Sequence, residues 1–288
     1  MDFLITALLQ GLGYASLGIG IFLSLRIFNI PDITTDGSYT LGGIITATLL
    51  VAGFNPFITL FVVIIGGMIA GAFTGIIHTR LKINPLLAGI LVMTGLYSVN
   101  LFIMGRSNLP LINVRSVFDF MPILTSKQSV WCVMSLFAII LLMTIVWLLK
   151  TDFGIAMRAT GNSEAMVRSM GVNTNRMKII GLALANGLTA ISGYLITQYQ
   201  GFGDINMGIG IVISGLGSVM IGEALLKPFL QRGISYHIIA VIIGSILFRV
   251  ILALALSLGL NPNFLKLVTA LIVLVIVGIS NTRKIDAV

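Results

Sequence analysis

Long apolar stretches recur from one end of this chain to the other, at 3–25, 38–54, 57–78, 84–104, 129–149, 177–199, 208–225, 235–257 and 264–281. A run of roughly 18 apolar residues is long enough to cross the hydrocarbon of a bilayer. Inside that hydrocarbon a span survives only if its own backbone bonds are satisfied, as in a helix or a closed barrel. Runs of this length predict helices, and their number predicts an all-α membrane protein. We read a polytopic helical bundle of about eight to nine spans, a single transmembrane domain over 1–288. Only 9% of the residues are charged, whereas a water-facing domain carries about 25%. The 32 glycines fit the same class, because glycine lets helices in a membrane approach closely.

The formal charge of +8 does not mark a nucleic-acid binder. Its cations fall in short connections between apolar runs and form no basic face. Arg26, Arg80, Lys82, Lys150, Arg158, Arg168, Arg176, Lys178, Lys227, Arg232, Arg283 and Lys284 fall on one side of the expected bundle. Only Arg106, Arg115, Lys127 and Lys266 fall on the other. By the positive-inside rule the richer side, with 151–172 and the C-terminus, is cytoplasmic, and the N-terminus is outside. Residues 3–25 read as a span, since no basic region precedes them as in a cleavable leader. Cys132 sits in an apolar run and reads as a small hydrophobe.

Two segments depart from ordinary spans. In "NIPDITTDGSYTLGGIITATLL", residues 29–50, Pro31, Asp32, Asp36 and Gly37 precede a short Gly-rich helix. In "GFGDINMGIGIVISGLGSVMIG", residues 201–222, Asp204 precedes another. The halves carrying them enter in opposite senses, which predicts two broken short helices in an inverted repeat with a pathway at its interface. A carboxylate at membrane depth reads first as functional. Asp36, Thr35 and Ser38 serve equally well as caps for a helix starting near 38. Tyr39, Asn84, Asn100, Asn186, Gln198 and Tyr199 fit a polar path lining or hydrogen bonds between helices. Arg249 needs a partner in its span, and Asp204 is the nearest carboxylate in expected depth. Glu223 fits a pair with Lys227 at i+4. His78 and His237 lack companions for a metal site.

The connection 105–127 has Val114, Val117, Phe118 and Met121 at helical spacing. It reads either as an amphipathic segment on the membrane surface or as a platform for an outside partner.

The longest polar island is "TDFGIAMRATGNSEAMVRSMGV", residues 151–172. Thr151 or Asp152 can cap a first short helix that Gly161 ends in a left-handed turn, and Asn162 or Ser163 a second that Gly171 ends likewise. Asn173 to Asn175 offer a cap for the following span. Ala156, Met157, Ala159, Ala165, Met166 and Met170 give these helices small and adaptable apolar contacts, suited to a docking surface. Glu164 also suits the first turn of its helix without any partner.

The order of Thr151, Phe153, Gly154, Ala156, Arg158, Ala159, Gly161, Asn162, Ala165, Gly171 and Val172 resembles the cytoplasmic coupling loop of ABC-transporter permeases. It is most similar to the branch with branched-chain amino-acid and ribose-type importers. "IPDITTDGSYTLGG" and "NPLLAGILVMTGLYSVNLFIMG" look like a subgroup for aromatic amino acids, tryptophan or tyrosine. The resemblance implies a homodimer, or a dimer with a second permease, in the bacterial cytoplasmic (inner) membrane. It implies a cytoplasmic ABC ATPase dimer and an extracytoplasmic substrate-binding protein as partners. No P-loop G-x-x-x-x-G-K-[ST] occurs here, so this chain binds no cofactor of its own and is not an enzyme; ATP and Mg belong to the ATPase. The residues it implies for ATPase coupling are Arg158, Ala159, Gly161, Asn162, Glu164, Ala165, Arg168 and Gly171. Thr35, Asp36, Ser38, Tyr39, Asn84, Asn100, Asn186, Gln198 and Asp204 are expected along the substrate path. An ion-coupled secondary transporter is the alternative, with Asp36 or Asp204 as the ion ligand.

Overall fold

The computed structural model describes residues 2–120, 126–231, 233–261 and 264–285. Met121, Arg232 and the side chains of Lys127, Arg283 and Lys284, which enter the expectations above, lie outside the described residues. The helices are α1 (Asp2–Phe22), α2 (Thr34–Val51), α3 (Pro56–Arg80), α4 (Pro85–Met104), α5 (Ser126–Lys150), α6 (Asp152–Asn162), α7 (Glu164–Ser169), α8 (Thr174–Gln200), α9 (Ile211–Leu225), α10 (Lys227–Leu230), α11 (Ile234–Ser257) and α12 (Leu265–Ile285). A π-helical turn, Leu23–Ile27, continues α1. The chain is not purely α. Strands β1 (Asn108–Pro110) and β2 (Phe202–Asp204) pair antiparallel, with Leu109 opposite Gly203.

Six helices among the described residues are long and apolar enough to cross a membrane: α1 with its π turn, α3, α4, α5, α8 and α11. Two of the other expected spans are shorter apolar helices, Ile211–Leu225 and Leu265–Ile276, while the first turns of α2 are polar, "TTDGSYT". The sequence thus builds a polytopic helical membrane bundle. α2 starts at Thr34, four residues ahead of the expected 38, because Asp32 rather than Asp36 or Ser38 accepts the orphan N–H of Thr34 (2.9 Å).

Local signals set the other ends. Asn55 and Asn84 cap α3 and α4, each accepting from the residue after a proline in the first turn (Phe57 and Leu86, both 2.9 Å). Proline suits that position because it lacks an N–H the helix could not use there.

α1 and α8 form the centre, with 78% and 83% of their most apolar windows buried, against 17% for α4. Glycine brings neighbours against α8 almost backbone to backbone. A Cβ on Gly42 of α2 would collide with the Ala190 carbonyl, and one on Gly71 of α3 with that of Leu182. In lipid no hydrophobic force drives helices together, so close packing and interhelical hydrogen bonds carry the association. Buried hydroxyls add ties to partner-helix carbonyls: Ser16 to Leu188 (2.5 Å), Ser192 to Gly13 (2.9 Å) and Ser245 to Gly11 (3.0 Å). Such bonds contribute on average ~0.6 kcal/mol each in a membrane.

The bundle has two distinct ends. One carries α6 and α7, the π turn, the last turn of α3 and the close of α9, where Arg26 pairs with Glu223. That pair replaces the expected Glu223–Lys227 contact, since the π turn brings a longer cation onto the carboxylate. The other end carries the strand pair and the short 3-10 helix Val117–Phe120. Val117 and Phe118 are buried in the main core, which removes them from any surface-lying amphipathic segment. Cys132 is exposed on α5 rather than packed inside.

Candidate functional site

Two constellations stand out: the α6–α7 elbow at one end, and a polar seam where α2 meets α8 and α9.

Thr151 opens the elbow by accepting from Gly154 N (3.3 Å). Helix α6 then runs through Gly161 to Asn162 and stops only where Ser163 turns extended. Gly161 is therefore not the left-handed terminator expected from the sequence. It has a helical backbone and lies where a Cβ would strike the Ile27 carbonyl and the Phe28 backbone. Glycine is needed for close approach, and the surface it meets is the π turn that ends α1. Such turns are uncommon and recur at functional sites. Ser163 holds the cap position of α7 without a side-chain bond. Gly171 does take the left-handed conformation (φ 86°), and Asn173 caps α8 through Arg176 N (3.1 Å).

Met157 and Val167 anchor the elbow, both buried in the core. That placement corrects the expectation of Met157 as a docking contact. Glu164 ties the elbow to α8. Its carboxylate accepts from Lys178 (2.6 Å), Thr174 (3.0 Å) and Arg168 (2.8 Å). Lys178 and Thr174 lay outside the expected set; their proximity to Glu164 depends on the turn at Gly171. The Lys178 hydrogen bond, ahead of smaller effects from Thr174 and Arg168, holds the Glu164 carboxyl below the usual carboxylate range.

A depressed folded-state value stabilises above the unfolded pKa of about 4.3, and that contribution disappears as pH falls through the folded value. The stability gap between wild type and Glu164→Gln is expected to be constant above pH ~5 and to shrink on further acidification. Glu164 is partly exposed, so the gap should be under about 1 kcal/mol. Thermal unfolding of both proteins across that range is the measurement.

The remaining elbow residues face outward. Asn162, Ala165, Arg168 and Gly171 are exposed, and Ala159 is half-buried. Met166 and Met170 are 56% and 72% exposed. Arg158 has a buried Nε with no acceptor among the described residues.

The seam is built from α2. Asp32 accepts from Asn186 Nδ2 (2.6 Å), and Ser38 donates to Asn186 Oδ1 (2.6 Å), so one α8 amide joins two α2-side groups. Thr35 donates to the Asp32 carbonyl (3.1 Å). Asp36 reaches across the chain: its two oxygens accept from Gly210 N (2.8 Å) and Val212 N (2.9 Å), the N-terminus of α9. A carboxylate there offsets the positive end of the helix dipole.

Tyr39 donates to the Tyr14 hydroxyl (3.0 Å). Asn100 donates to the Gly37 carbonyl (3.4 Å) and leaves its own Oδ1 buried without a partner. Gln198 accepts from Val117 N (2.8 Å) and donates to the Tyr194 carbonyl (3.2 Å). Asn84 is the α4 cap already described. The structure therefore brings Asp32, Thr35, Asp36, Ser38 and Asn186 together, and leaves Asn84, Gln198 and Asp204 elsewhere.

Asp204 sits in the strand pair, accepting from Asn108 Nδ2 (3.1 Å) and Asn206 N (2.8 Å). The expected Asp204–Arg249 ion pair is absent. Arg249 lies over the Tyr14 ring, 3.4 Å from its centroid, because strand pairing holds Asp204 opposite Asn108 of β1. His78 meets the Ile83 carbonyl (2.9 Å), and no cluster of three metal-ligating side chains occurs among the described residues.

Fold and seam define a helical membrane permease: short helices meet inside a bundle of spans, with a helical elbow held against one end. The chain belongs to the ABC-transporter permease family, matching the description "Branched-chain amino acid transport system / permease component" over residues 3–278. It is 37% identical to a tyrosine transport system permease protein of Clostridioides difficile, over 98% of this chain and 92% of that protein. An uncharacterised protein of Rickettsia prowazekii is 32% identical over 99% and 100%. A galactofuranose transporter permease protein of Escherichia coli is 25% identical over 95% and 78%. No solved structure matches the chain.

Proposed function

We propose that this chain is the permease subunit of an ATP-driven importer for an amino acid, aromatic or branched-chain. The observation that carries the proposal is the elbow: Gly161 and Glu164 latch it to α1 and α8, while Ala165, Met166 and Met170 turn outward with nothing over them. A rigid base with an adaptable apolar face fits a groove on a partner. An ATPase dimer on that side supplies ATP and Mg, and its closure moves α6 and α7 as one body against the π turn.

In this reading the α6–α7 end and the C-terminus are cytoplasmic in a bacterial inner membrane. The α1–α2 and α8–α9 pairs are inverted counterparts, and α2, α9 and α12 complete eight to nine spans. Two permeases form the path, an extracytoplasmic binding protein delivers the solute at the strand end, and nucleic acid has no part. The amino-acid assignment rests on the relative with the tyrosine-transport name. The path passes the Asp36–α9 junction, whose bonds break and re-form as the halves rock.

The test is an affinity pull-down of the tagged chain from its native membrane. Wild type is expected to bring down a P-loop ATPase in stoichiometric amount. Met166→Asp with Met170→Asp, at exposed positions, should retain a folded bundle and lose the ATPase. A full complement of ATPase on the double variant would exclude the elbow as the docking face, and a wild-type homo-oligomer without any ATPase would exclude ATP-driven import.

A further inference from the structure

A cavity of about 830 Å³ opens between α1, α9, α11 and the start of α12, toward the strand end. Its volume is within the ~300–1,000 Å³ of small-molecule sites. The walls are largely apolar, with Phe3, Met207, Ile211 and Leu256 among them, and two cations, Arg249 and Lys266, also line it. Among the described residues, no Asp or Glu lines it.

Arg249 has no carboxylate partner among the described residues. Its guanidinium stacks on Tyr14, which leaves the in-plane N–H edges free to donate, the fork geometry that suits a carboxylate. Tyr14 is itself held by the Tyr39 hydroxyl (3.0 Å), so the platform under Arg249 is fixed from behind. Asp36, which lies behind the cavity wall at Gly210, is engaged on both oxygens by N–H groups at the start of α9. A cation within a span calls for a counter-charge, and here Arg249 faces a largely apolar-walled cavity.

We infer that Arg249, with Lys266 at the mouth, receives the carboxylate of the transported solute while the apolar walls take its side chain. The inference rests on the import reading and sharpens it. The solute is a carboxylate with an apolar body, and the carboxylate outweighs the amine in recognition because the described lining of the cavity holds two cations and no acid.

The test separates binding from transport. Full-length chain in phosphatidylcholine nanodiscs is titrated with L-tyrosine, with 3-(4-hydroxyphenyl)propionate, which lacks the amine, and with tyramine, which lacks the carboxylate. Binding is read as a rise in melting temperature. The first two should bind and tyramine should not. Arg249→Gln should weaken binding at least tenfold, Arg249→Lys less, and the exposed Lys266→Gln severalfold with an unchanged melting temperature in the absence of ligand. Should Arg249→Gln fail to fold, Arg249→Lys and Lys266→Gln decide the matter.

Tyramine binding as well as tyrosine, no binding by either carboxylate, or equal affinity in all variants would overturn the assignment. Loss of the tyrosine effect in phosphatidylglycerol nanodiscs would overturn it in favour of a lipid site. Uptake in cells is scored apart: binding without ATP-dependent uptake removes the import reading and leaves the site, whereas uptake indifferent to Arg249 does the reverse.

Discussion

Replacing Gly161 by leucine is expected to reduce ATP-dependent uptake at least tenfold, a larger loss than any other single change on the elbow. The side chain has no space to enter, since even its first carbon would overlap the Ile27 carbonyl, which is backbone and cannot rotate away. Relief requires α6 to lift off the π turn. Forcing extra carbons into a packed contact costs about 1–3 kcal/mol, and here the same displacement cuts the link from elbow to α1. Gly53→Asn, in the turn between α2 and α3, is the control. That position has a left-handed backbone and open space around it, and asparagine tolerates the conformation better than other side chains. Uptake should stay within twofold for the control. Equal uptake by Gly161→Leu and wild type would show that force does not pass from α6 to α1.

Asp36→Ala is expected to lower stability by about 2–4 kcal/mol, because it strands two N–H groups at the start of α9 and each buried unmet donor costs about 1–3 kcal/mol. The loss should appear in thermal or denaturant unfolding of the solubilised chain. Asp36→Asn keeps one acceptor and should lose less. If instead both variants unfold like wild type and only uptake falls, Asp36 acts on the solute and the observed cap contributes little.

Most of the helical bundle was legible in the sequence, since nine apolar runs can hardly build anything else in a membrane. The elbow was legible too, as a polar island with its own caps. What periodicity does not carry is depth and partner. Asp36 has the sequence context of a cap for its own helix, yet it caps α9, a relation visible only once positions 174 apart in sequence are brought together. Gly161 has the context of a helix terminator, but helix ends are decided by local cost, and here close packing against Ile27 dominated. Arg249 was recognised as needing a partner. The wrong one was expected because depth along a span says nothing about which face a neighbour presents, and β1–β2 pairing, with too few residues to leave a pattern, had already placed Asp204 elsewhere.

The Asp36 cap also bears on how the protein is made. Synthesis delivers α2 to the bilayer long before α9, so the acceptor waits in place while the donors are still on the ribosome. When α9 arrives, its first turn enters a medium without water, where a bare N–H has no other recourse. The earlier half therefore acts as a template for the later one. A chain stripped of its first fifty residues should insert α9 poorly, and supplying those residues as a separate polypeptide should restore it.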